Sequence, residues 1–309
     1  MIAVTGAAGF IGANLAHRLA AEGRELLLVD HPLTEAKAGN LVPGHRFLGH
    51  EAFLAELPRL KLQAVFHLGA CSRTTEQDWA YLLRNNLEYS QAVWRWCAER
   101  GVPLVYASSA ATYGDGSQGF DDRLPPARLH PLNLYGKSKN DFDAWALMQG
   151  HAPPGWAGMK FFNVYGPREA HKGGMASVVL HAFRQIRETG RCKLFRSTVP
   201  GLPDGGQRRD FVFVEDCVDH MLWLWGHPQA GLFNSGTGTA RTFLDLAHAV
   251  FAALGRTPEV GFIDMPASLA GQYQSFTQAE MSRLRGAGCD VPPTALEEGV
   301  ARYVRRLVG

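Results

Sequence analysis

Tyr135 and Lys139 are the pair of residues in this sequence whose types and spacing best suit proton chemistry. Residues four apart on a helix lie one turn apart on the same face. The lysine ammonium then favours the tyrosinate and lowers the pKa of the phenol from about 10 towards neutral. Such a tyrosine can exchange a proton with a substrate hydroxyl while a nicotinamide exchanges a hydride. The alternative is a solvated pair on a helix surface. The choice between these two interpretations depends on the rest of the chain.

A glycine-rich turn lies between an apolar N-terminal strand, Ile2 to Thr5, and a helix predicted over Ala13 to Glu22. Its glycines, Gly6, Gly9 and Gly12, allow a tight turn and a close approach to a pyrophosphate, whose charge the helix N-terminus favours. Because the turn joins a strand to a helix, it predicts a dinucleotide-binding site rather than a turn without a ligand.

The second predicted strand, Glu25 to Val29, leads to an acidic residue, Asp30. A carboxylate about 20 residues past the glycine turn usually binds the adenosine ribose, and it favours NAD because it repels a 2′-phosphate. Lys37, helped by Arg46 or His50, can offset this repulsion, although a solvated loop lysine is an equal alternative for Lys37. The residues alone therefore leave NAD and NADP both open.

Two further predicted strands end where a cofactor and a substrate would meet. Gln63 to Ala70 is a buried strand whose small terminal residues let a cofactor pass over its carboxyl end. Val102 to Tyr106 is the next strand and leads to Ser109, whose hydroxyl can bond a reacting oxygen beside Tyr135. A Ser/Thr turn without a catalytic role is the alternative for Ser109.

An amphipathic helix is predicted from Trp79 to Arg100, with Asn85 and Asn86 in its interior. Asparagine is unfavourable inside a helix because its side chain competes for backbone hydrogen bonds. We therefore expect one of the two to face the cofactor or to bridge strands.

Bulk composition excludes several classes of function. The 309 residues are 46% hydrophobic and 19% charged, with a net charge of +2 and no basic block, so nucleic acid is not an expected partner. The five cysteines are scattered, which indicates reduced thiols in a cytoplasmic protein. No signal peptide, membrane-spanning run or metal-ligand spacing is found, so we expect no membrane partner and no metal.

The candidate site residues together resemble the extended short-chain dehydrogenases/reductases. They are the glycine turn from Gly6 to Gly12, Asp30, Ser109, Tyr135 and Lys139. Within that superfamily the chain resembles the ADP-L-glycero-D-manno-heptose 6-epimerase branch over nearly its whole length. A dehydratase is disfavoured, because Ala110 and Ala111 stand where water elimination needs an acid and a base. The segments that carry the branch resemblance are 68–72, 108–114, 131–136, 162–173 and 272–279.

The resemblance implies an α/β fold with a Rossmann-type doubly wound parallel sheet and a smaller α/β substrate-binding lobe. We expect residues 1–162 and a returning segment of about 208–235 to form the NAD(P)-binding domain. A strand from Phe211 to Val214 is predicted to rejoin that domain. The lobe is expected to comprise about 163–207 and 236–309, with a Pro/Gly-rich loop at 197–207 that is longer than is typical of the branch.

The same resemblance implies inversion at C6″ of an ADP-linked heptose with tightly bound NADP, NAD being possible. Lys172 is then a second acid/base across the sugar from Tyr135, whereas the residues alone favour a basic loop contacting phosphate. A homo-oligomer is expected. The alternatives are another nucleotide-sugar epimerase, of the 4-epimerase type, and a non-catalytic NADP-sensing protein on the same fold.

The predicted site combines residues derived from spacing with residues implied by the resemblance. Arg209 is derived as a diphosphate clamp because its planar fork matches phosphate oxygens, with pairing to Asp210 or Asp216 as the alternative. The catalytic set is Tyr135, Lys172, Lys139 and Ser109. The cofactor set is Gly6, Gly9, Phe10, Ile11, Gly12, Asp30, His31, Lys37, His50, Leu68, Gly69, Ala70, Cys71, Ser72, Asn85, Lys139, Val164 and Lys172. The substrate set is Asn163, Gly174, His181, Phe195, Arg209 and Tyr273.

Overall fold

The computed structural model of the chain describes residues 1–266 and 274–309. Its strands are β1 (Ile2–Thr5), β2 (Leu26–Asp30), β3 (Arg46–Gly49), β4 (Ala64–His67), β5 (Leu104–Ser109), β6 (Ala157–Phe161), β7 (Asn163–Tyr165), β8 (Cys192–Phe195), β9 (Arg208–Arg209), β10 (Phe211–Phe213), β11 (Gly231–Ser235), β12 (Arg241–Thr242) and β13 (Val260–Ile263). Its helices are α1 (Phe10–Ala21), α2 (Glu35–Ala38), α3 (His50–Glu56), α4 (Trp79–Leu82), α5 (Tyr89–Arg100), α6 (Leu134–Leu147), α7 (Val178–Thr189), α8 (Val214–Gly226), α9 (Phe243–Ala253), α10 (Ser282–Gly286) and α11 (Leu296–Val308).

A seven-stranded parallel sheet forms the centre of the fold, in the order β11-β6-β5-β4-β1-β2-β3. Alternate residues of its strands enter two different cores: Ile2 and Val4 pack into one cluster, and Ala3 packs into the other. Continuous apolar strands therefore form because both faces of the sheet are covered. The strand order reverses between β1 and β4, which is where α/β folds of this kind bind ligands. The predicted fold class is confirmed.

A second part of the chain has its own apolar core, built from α7, α9, α11 and the strands beside them. The strand predicted from Phe211 to Val214 does not enter the central sheet. Its residues 211–213 form β10, which pairs with β7 in a separate two-stranded sheet, and Val214 begins α8. Phe211 and Phe213 pack into the second core and Val212 into the first, because successive strand residues face opposite sides. The chain returns to the central sheet only through α8 and β11.

Candidate active site

The glycine turn between β1 and α1 packs against the loop that follows β4. Gly6 has φ +67°, and a Cβ there would lie 2.8 Å from the backbone of Leu68 and Gly69. A Cβ on Gly12 would lie 2.2 Å from the carbonyl oxygen of Gly6. Glycine is therefore required at both positions, because only a residue without a Cβ allows the backbone segments to approach this closely.

Asp30, at the end of β2, has both carboxylate oxygens engaged by the protein. One accepts the N–H of Ala8 in the glycine turn at 2.9 Å, and the other accepts the N–H of His31 at 2.8 Å. Lys37 completes the group with its Nζ 3.3 Å from the carboxylate. Lys37 is therefore an ion-pair partner of Asp30 rather than a solvated lysine, and it offsets the negative charge at this end of the cleft.

Two histidines lie beside this ion pair. The rings of His31 and His50 have centroids 3.9 Å apart, and both side chains line the cleft. The pKa of His31 is lowered, first by burial and then by His50, while Asp30 opposes the shift. A cation at His31 therefore depends on protonation as the pH falls.

The predicted helix from Trp79 to Arg100 is interrupted by a π-helical segment, Leu83–Glu88, which contains both asparagines. Asn86 is buried; its side chain accepts from the N–H of Cys71 at 2.8 Å and donates to the carbonyl of Cys71 at 3.1 Å. It also donates to the Ser138 hydroxyl at 2.9 Å. Asn86 thus joins the loop after β4 to α6, whereas Asn85 lines the cleft. Such π-bulges are frequent at functional sites.

Helix α6 carries Tyr135 and Lys139, and its first turn is capped by Asn133, which accepts the N–H of Gly136 at 2.7 Å. The expected lowering of the Tyr135 pKa by Lys139 is wrong for this structure. Burial raises the pKa of the Tyr135 phenol, and the Ser109 hydroxyl opposes that shift only partly. Lys139 instead donates to the carbonyl of Ala107 at 2.9 Å, and burial lowers the pKa of its ammonium to about 8.

Behind these two residues lies a buried ion pair that the sequence reasoning missed. Lys160 Nζ lies 2.7 Å from the Asp143 carboxylate, and both side chains are fully buried. Asp143 stands one helical turn after Lys139 and also accepts hydrogen bonds from the hydroxyls of Tyr106 and Ser108. A lysine inside an apolar strand was the available signal, because a buried charge requires a partner.

Lys172 lies in a 3₁₀ segment, Ala170–Met175, and lines the same cleft. Its Nζ lies 5.4 Å from the centre of the Phe10 ring. The pKa of the Lys172 ammonium is lowered by burial, and Glu169 opposes the shift. Glu169 itself is buried and accepts the Ser177 hydroxyl at 2.6 Å, which ties this segment to the start of α7.

A single cleft of about 1590 Å³ brings the predicted residues together. Every member of the three predicted sets that the structure describes lines it, while Tyr273 lies outside the described residues. Pockets for one small molecule usually measure about 300–1,000 Å³, so this cleft has room for a dinucleotide and a sugar nucleotide. The residues present therefore fit a nicotinamide cofactor, although their individual roles stay predictions.

Arg209 also lines the cleft, and its guanidinium is engaged by neighbouring groups. Its guanidinium donates to the carbonyls of Arg208 and Gln274 and lies 5.6 Å from the centre of the Phe243 ring. His181 lies 3.3 Å from the carbonyl of Gly174 through its Nε2.

The described ranges, 1–266 and 274–309, contain neither a metal-ligand cluster nor a membrane-spanning helix. No group of three or more histidine, cysteine, aspartate or glutamate residues there is arranged to hold a metal ion. No helix in those ranges is long and apolar enough to cross a membrane.

Known proteins resemble this chain in both sequence and fold. Residues 2–236 match the family described as "NAD dependent epimerase/dehydratase family". An ADP-L-glycero-D-manno-heptose-6-epimerase of Nitratidesulfovibrio vulgaris strain Hildenborough is 50% identical over 99% of this chain and 97% of its own length. The crystal structure of Helicobacter pylori ADP-L-glycero-D-manno-heptose-6-epimerase superposes with a TM-score of 0.86, at 26% identity, over 100% of this chain and 96% of that one. A Thermus thermophilus UDP-glucose 4-epimerase in complex with NAD gives 0.81 at 26% identity, over 100% and 99%.

Proposed function

The chain belongs to the NAD dependent epimerase/dehydratase family, and from this premise we propose that it inverts C6″ of ADP-D-glycero-D-manno-heptose to give the L-glycero epimer. The relatives that bear this activity in their names support the substrate, at 43–50% identity over nearly the whole chain. The observation that carries the proposal is that one cleft holds two proton-transfer groups, Tyr135 and Lys172, on separate elements.

Inversion at this carbon needs a redox step. A carbon-bound hydrogen with no adjacent carbonyl is too weakly acidic for direct proton removal. When bound, a nicotinamide would supply reversible hydride transfer at C6″. The transient 6″-aldehyde is planar, and rotation about C5″–C6″ presents its other face.

The chain's own residues move and hold the protons. The two epimers place the 6″-hydroxyl on opposite sides, so Tyr135 serves one side and Lys172 the other. Ser109 steadies the C6″ oxygen. The Ser109 hydroxyl lies beside the Tyr135 phenol, close enough to oppose the rise in the pKa of that phenol. Lys139 holds the nicotinamide ribose, and its ammonium is anchored at the Ala107 carbonyl.

We propose NADP rather than NAD as the resident cofactor. The family and the NAD-bound neighbour support a nicotinamide cofactor. The preference for NADP is supported by Lys37, which pairs with Asp30 and reduces the repulsion of a 2′-phosphate, and by the adjacent His31 and His50.

The remaining parts of the proposal concern organisation. The nucleotide end of the substrate lies along Phe195 and Arg209, and the heptose lies near Asn163, Gly174 and His181, all of which line the cleft. The division into a cofactor domain and a substrate lobe, a homo-oligomeric state and a cytoplasmic location belong to the same proposal.

The test is to incubate the purified protein with ADP-D-glycero-D-manno-heptose and follow both epimers by proton NMR. We expect interconversion with no net change in nicotinamide absorbance. Denaturing the protein should release NADP, which mass spectrometry would identify. Activity on UDP-galactose without activity on the heptose would assign the chain to 4-epimerase chemistry. Stable cofactor binding without any epimerisation would indicate a sensor instead.

A further inference from the structure

The loop that carries Lys172 contains a strained residue. We call Pro167–Met175 the Lys172 loop. Within ranges 1–266 and 274–309, Arg168 is the one residue other than glycine with a positive φ, at +68°. A left-handed conformation costs a residue with a side chain roughly 1–2 kcal/mol. Such strain persists only when surrounding contacts hold the backbone, so the contacts around Arg168 indicate what fixes this loop.

Asn40 makes the contacts that hold this loop to the glycine turn. Its Nδ2 donates to the carbonyl of Arg168 at 3.1 Å and to the carbonyl of Ala8 at 3.1 Å. The same nitrogen lies 3.1 Å from Nδ1 of His171. Since Asp30 already accepts the N–H of Ala8, the middle of the glycine turn is held from both sides.

Asn14 adds a second link between the same two segments. This buried residue of α1 donates to the carbonyls of Phe10 and Pro167, both at 2.9 Å. Its Oδ1 accepts from the Arg168 guanidinium at 3.2 Å. The Lys172 loop is thus fixed on the glycine turn by two asparagine side chains.

We infer that Asn40 is a positioning residue, which holds the Lys172 ammonium over the Phe10 ring and so aligns the second acid/base with the cofactor turn. The inference rests on the proposed function only for the role of Lys172 in proton transfer. Without the Asn40 amide, the Ala8 and Arg168 carbonyls lose a shared donor, and the left-handed backbone at Arg168 can relax. Lys172 then moves from its half-buried place into water.

The test measures the position of Lys172 directly. Competitive acylation of the holoenzyme over a range of pH, read at the Lys172 peptide by mass spectrometry, reports the pKa of its ammonium. In the wild type we expect that pKa to be below its usual value, because burial lowers it. In Asn40→Ala it should rise towards the usual value, with kcat reduced about 10- to 100-fold, KM changed less than about threefold and cofactor content retained. Asn40→Asp keeps the shape of the side chain but replaces the amide donor by a carboxylate. It should therefore raise the Lys172 pKa and lower kcat at least as much as Asn40→Ala does.

Gln149→Ala is the control, because Gln149 also has a half-buried amide that donates to a backbone carbonyl, that of Trp145 at 2.8 Å, and it does not line the cleft. It should leave the Lys172 pKa and kcat near wild type. An unchanged Lys172 pKa in both Asn40 variants, or an equal shift in the control, would overturn the inference. Absence of epimerisation by the wild type would refute only the proposed function, because the labelling result stands without it.

Discussion

Gly136→Ala should damage catalysis because it displaces the helix that carries Tyr135. Gly136 lies in the first turn of α6, next to the candidate catalytic tyrosine. A Cβ at this position would lie 2.7 Å from the carbonyl oxygen of Ala111, whereas ordinary contact begins at 3.4 Å. The helix or the turn after Ser109 must therefore move by about 0.7 Å, and a misplacement of about 1 Å can cost ~100-fold in rate. We expect kcat to fall about 10- to 100-fold.

The assay is epimerisation of the ADP-heptose at saturating substrate, with unfolding in urea measured alongside. Overpacking should also destabilise the variant by about 1–3 kcal/mol. The control is Gly226→Ala at the end of α8, where a Cβ would meet nothing within 4 Å. That variant should keep wild-type kcat and lose no stability. Wild-type kcat in Gly136→Ala, with its fold intact, would refute the reasoning that this close contact sets the position of Tyr135.

Three other predictions concern proton transfer, cofactor choice and stability. Tyr135→Phe and Lys172→Met should each reduce epimerisation by at least about 100-fold while cofactor content by mass spectrometry stays unchanged; substantial activity in the lysine variant would eliminate the two-base scheme. His31 becomes cationic as the pH falls, so the ratio of NADP to NAD bound after exchange with equal amounts of both should be higher at pH 6 than at pH 8, and His31→Asn should flatten that difference. Burial raises the pKa of Asp122 to about 6, above its value in the unfolded chain. The folded state therefore binds the Asp122 proton more tightly than the unfolded state does. The protein loses free energy of unfolding as the pH rises through about 6 and this proton is released. Relative to wild type, Asp122→Asn should therefore gain up to about 3 kcal/mol of unfolding free energy between pH 4 and pH 8, and parallel stability curves would contradict this.

The local parts of the site could be predicted from the sequence because they depend on short spacings. The glycine turn, Asp30 after β2, and the Tyr135–Lys139 spacing each follow from one strand or helix and its end. The parallel sheet was expected from the family resemblance, and the alternation of strands and helices agrees with it.

The effect of Lys139 on Tyr135 could not be predicted because spacing gives proximity and not environment. Both side chains are buried, so desolvation outweighs the charge effect expected for a solvated helix face. The contacts that Asn40 makes could not be predicted from the sequence either. Asn40 lies in a loop without a motif, and its partner Arg168 is 128 residues away in the sequence.

The buried pair of Asp143 and Lys160 limits how this sequence can diverge. The two residues stand 17 positions apart, on α6 and β6, and each neutralises the other in the protein interior. Replacing one alone leaves a lone charge away from water, which costs about 3–5 kcal/mol, a large share of the roughly 5–15 kcal/mol that holds a domain folded. Descendants of this sequence can therefore abandon the pair only by changing both positions, so the two should be inherited as a single unit.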